Sequence, residues 1–101
     1  MIKKIKNKIK WKSYEIQAKL SGSSNIKMKN GKSMKLITKN HHEVHRARTF
    51  YTKEPEMIEW INRLSNNNKS FVFYDIGANI GIYSLYTAIL HKNSIVYSFE
   101  P

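Results

Sequence analysis

Cysteine is absent from this chain of 101 residues, so neither a disulfide framework nor a thiolate metal site can form, and a reducing compartment, the cytoplasm, is expected. Long apolar runs are also missing. Nowhere do about eighteen apolar residues follow one another, and the first twenty hold no unbroken apolar core, which argues against a membrane span and a secretory leader. Acidic side chains are few, 7 against 18 Lys and Arg. The imbalance is local: residues 1–53 carry +13 and residues 54–101 carry −2. A basic block of this kind can bind nucleic acid or anionic lipid. Arginine is scarce, however, and aromatics are not interleaved at stacking positions, so a solvated lysine face is the plainer expectation and no specific nucleic-acid partner is expected. The chain has room for one domain, and a domain this small buries only about two-thirds of the surface its unfolded form exposes.

Glycine occurs only four times, and each occurrence marks a break in a pattern. Ile2, Ile5, Ile9, Ile16 and Leu20 recur near multiples of 3.6 among lysines, predicting a basic amphipathic helix over 2–20 that Ser21-Gly22 stops. That stripe is expected to pack on its own domain, with Trp11 off it. Peripheral contact with an anionic membrane surface is the weaker alternative. From Ile26 to Thr38 apolar residues alternate with lysines around Asn30-Gly31, a hairpin signal. A two-residue loop would throw Met28 and Met34 onto opposite faces. A three-residue loop, Asn30-Gly31-Lys32, sets Met28 across from Met34 and Ile26 across from Leu36, and is the expected one.

Pro55 at a first helical position, Glu54, Glu56 and Glu59 near the positive end of the dipole, and Met57, Ile58, Ile61 and Leu64 on one face predict a helix over about 55–65. Ser65 to Asn68 should end it. Residues 70–75 then read as a strand, about 80–91 as a helix with Ile82, Leu85, Tyr86 and Ile89 inward, and 95–99 as a second strand. Strand, helix and strand at this spacing make parallel neighbours through a right-handed crossover.

In such units ligands lie beyond the carboxyl ends of the strands. Gly77 and Gly81 let the backbone turn sharply, and Asn79 between them tolerates left-handed φ. Glu100, 19 residues past Gly81 at the end of the next strand, stands where a carboxylate can accept both ribose hydroxyls of a nucleoside. A dinucleotide fingerprint, G-x-G-x-x-G, fails at Asn79 and Ile82, so an NAD-type ligand is the lesser reading, and no Walker loop is present. Asp75 at the strand end opposes a pyrophosphate and suits a cation. S-adenosyl-L-methionine carries a sulfonium, an ammonium and no phosphate.

Y-D-I-G-A-N-I-G-I-Y-S-L, residues 74–85, with V-Y-S-F-E-P at 96–101, resembles motif I and the following acidic motif of class I methyltransferases, and most closely the FkbM family. T-F-Y-T-K-E-P-E-M-I-E-W-I, residues 49–61, resembles the segment those proteins carry before their first sheet strand. The resemblance covers about residues 46–101. It implies an α/β fold: the N-terminal portion of a Rossmann-like class I methyltransferase, one βαβ unit preceded by a basic helix, a β-hairpin and a helix. Residues 1–45 would then be an N-terminal extension, and 46–101 the start of a methyltransferase domain cut after its second sheet strand, with Met1 a genuine start. The implied activity is O-methylation of a small-molecule or glycan acceptor, a sugar or secondary-metabolite hydroxyl. Asp75, Gly77, Ala78, Asn79 and Gly81 would line the methionine end of S-adenosyl-L-methionine and Glu100 would hold the ribose. No catalytic residue is implied, because the acceptor pocket and any base come from later strands in the family. A chain ending here is expected to be marginally stable and inert.

His41, His42 and His45 beside Glu43 suggest a metal only superficially. H-E-V-H is one residue short of H-E-x-x-H, no further ligand is evident, and exposed loop histidines are expected instead. Arg46 and Arg48 are candidates to contact an anionic acceptor.

Overall fold

The structure, a computed structural model, describes residues 2–64 and 70–101 and is a mixed α/β arrangement with two small sheets. Helix α1, Ile2–Leu20, stops where Gly22 takes φ 61° and the Ser21 hydroxyl donates to the Gln17 carbonyl (2.9 Å). Its apolar stripe does not pack on the domain. Ile2, Ile5, Ile9, Ile16 and Leu20 are 48–82% exposed, and the helix is held by its opposite side, where Tyr14 and Ala18 are buried against Val44 and Trp11 is half-buried. The reason is shape: small Ala18 lets a neighbouring helix approach closely, and two aromatic rings cover more area than the isoleucines would.

Strands β1, Ser23–Lys27, and β2, Ser33–Ile37, form an antiparallel hairpin. Its loop has three residues, as expected, but sits one residue earlier, at Lys29-Asn30-Gly31. Met28 donates to the Lys32 carbonyl (2.8 Å), Gly31 donates to the Met28 carbonyl (3.1 Å), and Gly31 takes φ 84°. Ile26 therefore opposes Met34 and Ser24 opposes Leu36. The expected pairs are wrong by two residues while the faces are right, because a shift of two preserves the side-chain alternation. The left-handed position falls to glycine, which fixes the loop.

The stretch expected to be a histidine loop is helix α2, His41–Arg48. Asn40 caps it, its side chain accepting from the Glu43 N–H (3.0 Å) while the Glu43 carboxylate accepts from the Lys39 N–H (2.8 Å). A short helix α3, Phe50–Lys53, follows, then α4, Pro55–Arg63, burying Ile58 and Ile61. The expected break at Ser65 to Asn68 lies outside the described residues.

Strand β3, Phe71–Ile76, helix α5, Ile82–Leu90, and strand β4, Ser94–Phe99, make the expected βαβ unit, β3 and β4 running parallel with Phe71 beside Ser94 and Ile76 beside Phe99. Ile82 and Tyr86 of α5 are buried, and Leu85 and Ile89 are half-buried against the same core. That core is continuous from hairpin to βαβ unit: Ile26, Met34 and Leu36 share it with Phe50, Ile61, Phe73 and Tyr86. The position 45/46, expected to divide the chain, falls inside α2. Buried His91 fastens the end of α5 to α4 through Nε2 and the Ile61 carbonyl (2.7 Å). The other face of the parallel pair is open: Val72, Tyr74, Ile76, Ile95, Tyr97 and Phe99 are 48–81% exposed, with Tyr74 stacked on Tyr97 (5.5 Å). Among the described residues no helix is long and apolar enough to cross a membrane.

Candidate functional site

The carboxyl end of β3 turns into α5 through five residues, 77–81, and at three of them the backbone dictates the identity. Gly77, Asn79 and Gly81 take φ 73°, 56° and 78°, the left-handed region that side chains resist and asparagine resists least. Space is not the constraint, since a Cβ at Gly77 or Gly81 would meet nothing within 4 Å. The turn is tied to the next strand, with the N–H groups of Gly77 and Ala78 both donating to the Phe99 carbonyl (2.8 and 3.0 Å). This brings the residue after Phe99 to the turn. The Glu100 carboxylate accepts the Asn79 N–H directly, so the two motifs meet although 21 residues separate the partners.

Beside the turn lies a cleft of about 210 Å³. Asp75, Gly77, Ala78 and Asn79 form its near wall, and Arg46, Thr49, Phe50, Lys53, Glu54 and Tyr83 its far wall. Ala78 is buried, and half-buried Asp75 accepts the Ser84 hydroxyl (2.7 Å), a bond from the first turn of α5 that orients the carboxylate. Two cations and two carboxylates thus face one small space. Such a lining complements a zwitterion rather than a polyanion. Burial, followed by the nearby Glu54 carboxylate and then Glu56 and Asp75, pushes the Tyr83 hydroxyl above its ordinary value, so it remains a donor.

Of the six candidate residues, Asp75, Gly77, Ala78 and Asn79 line the cleft, Gly81 stands just before α5 at its N-terminus, and Glu100 meets the turn at Asn79. Arg46 lines the cleft, whereas Arg48 turns away, bonding the Gln17 side chain through Nε (3.2 Å) and Nη2 (2.5 Å) and lying over the Tyr14 ring. Lys53, Glu54 and Tyr83 were not expected here. All three lie inside quoted motifs, Tyr83 in the one that holds Asp75, but nothing in the spacing of Lys53 and Glu54 to residue 75 signals proximity.

The histidines gather elsewhere. His41 and His45 face the Trp11 ring (5.2 and 5.0 Å), and His42 lies beside His41. Among the described residues no three His, Cys, Asp or Glu side chains converge as a metal-holding group. The Nδ1 of His45 is buried without a hydrogen-bond partner in the protein, and burial, then Lys10, Lys53, His42 and Arg46, lowers its pKa below 6.5. No protein-family model, curated protein or solved structure matches the chain.

Proposed function

We propose that the βαβ unit is a nucleoside-binding element, and that its nucleoside is S-adenosyl-L-methionine, used as methyl donor by a Rossmann-like O-methyltransferase of the FkbM type. One observation carries the reading. The Glu100 carboxylate bonds the glycine turn at Asn79, a residue that also lines the mixed-charge cleft, so a ligand held along the turn would present a ribose to a carboxylate and an amino-acid end to paired charges.

The residues fit that group piece by piece. Asp75 opposes an ammonium or a sulfonium, Arg46 and Lys53 supply cations for a carboxylate, and Glu100 accepts from a ribose diol. The left-handed turn has open space at both glycines, leaving room for a ligand against it. A pyrophosphate in the same place would meet Asp75 and Glu54, which disfavours NAD. S-adenosyl-L-methionine supplies an electrophilic methyl when bound. Transfer of that methyl to an oxygen gains mostly from alignment, which here falls to the turn, Asp75 and Glu100 as positioning groups. No base is assigned.

Titration calorimetry of the chain with S-adenosyl-L-methionine and with NAD is the test. Binding of the first, weakened about 10- to 100-fold by Glu100→Gln through loss of charged hydrogen bonds, supports the reading. Preference for NAD, or binding indifferent to Glu100 and Asp75→Asn, overturns it.

A further inference from the structure

Helix α1 has two faces of opposite use. At about 100° per residue, the outward stripe of Ile2, Ile5, Ile9, Ile16 and Leu20 lies roughly opposite Tyr14, Ala18 and Trp11, by which the helix is held. Residues 2–10 have no buried side chain, and the molecule is elongated, 51 Å by 26 Å by 25 Å. Lys8, Lys12 and Lys19 run along one edge of the stripe and Lys6 along the other. Seven lysines stand in this helix against one acid, Glu15, which pairs with Lys12 (3.6 Å).

We propose that this stripe seats the protein on an anionic lipid surface, with α1 lying in the plane of the interface. A narrow apolar stripe flanked by lysines matches both layers of such a surface: the isoleucines reach the acyl boundary and the ammonium groups meet the headgroup anions. A helix of 19 residues laid flat reaches about 28 Å, so all five apolar residues engage at once. Charge argues against a second copy as occupant, because two such helices would bring lysine against lysine and Lys12 breaks the heptad seam between Ile9 and Ile16. A polyphosphate backbone would use the lysines and leave the isoleucines in water.

Flotation of the full chain with phosphatidylcholine vesicles, with and without phosphatidylserine, decides the matter. The chain should float only with the anionic vesicles. Replacing Lys6 or Lys8 by Gln should each weaken binding about fivefold. Ile5→Ser with Ile9→Ser should weaken it about tenfold or more, while far-UV circular dichroism stays at the parent spectrum because both positions are exposed. Absence of flotation overturns the proposal, as does anionic binding indifferent to the two serines. So does a dimer, seen by sedimentation, that the serines dissolve. Calorimetry with S-adenosyl-L-methionine is independent of all these variants, so the two proposals fail separately.

Discussion

At the scale of single residues, the turn at 77–81 is governed by backbone conformation and not by packing. Gly77 has open space where a Cβ would be, so Gly77→Ala costs only the left-handed penalty, about 1–2 kcal/mol, and Gly77→Asn should cost visibly less. Urea unfolding of the two variants checks the order; equal losses would point to a steric cause instead. His45 makes a pH-dependent contribution whose sign follows from its lowered pKa. The unfolded imidazole takes a proton near pH 6.5, before the folded one does. Stability from this site is therefore complete above pH 6.5 and is lost as pH falls from there through the folded value. Urea midpoints measured above and below pH 6.5 should diverge for the parent chain, and His45→Gln should reduce the difference. Glu100 is the third informative residue, since its carboxylate ties the end of β4 to the turn through the Asn79 N–H.

At the scale of elements, α1 is fastened by few residues. Tyr14 and Ala18 against Val44, the Gln17 side chain bonding Ser24 (2.9 Å) and Arg48, and Trp11 among the histidines make up the contact. Removing one aromatic anchor removes a large share of it. Tyr14→Ala should release α1 as a unit, seen as rapid proteolysis within residues 2–20 while near-UV signals from the βαβ unit persist. Loss of the whole fold on that change would show that α1 is integral to the core. Helix α2 teaches how a local signal is overlooked. Asn40-His41-His42-Glu43 has the cap spacing of a helix start, and the pattern after it buries Val44 and Ala47, yet three histidines in five residues suggest a loop. Hairpin register shows the opposite case. Alternation specifies which residues share a face, but not which of two pairings two residues apart is adopted, and loops one position apart close either.

At the scale of the whole molecule, the described residues cover the parallel pair β3–β4 on one face only. Parallel sheets are ordinarily buried on both. Six exposed apolar side chains and an unpaired strand edge make this surface adhesive in water. The chain should associate with increasing concentration, and Tyr74→Lys with Tyr97→Glu should suppress this in sedimentation velocity without changing the helix signal. Unchanged association would move the contact to another surface.

Sequence alone determined the elements with strong periodicity: α1, the hairpin faces, α4, and the strand–turn–helix–strand with its acid at 100. Each is written in short-range order, apolar spacing and glycine placement, which act before any long-range contact forms. It also marked Gly77, Asn79 and Gly81 as the positions where the chain turns sharply. Tertiary structure decided which side of α1 faces inward, because two possible faces compete and only the shape of α2 breaks the tie. It decided equally that Arg46, Lys53, Glu54 and Tyr83 stand across from Asp75. Those side chains meet through a core joining hairpin, helices and sheet, and the distances it sets between residues remote along the chain have no counterpart in any local pattern.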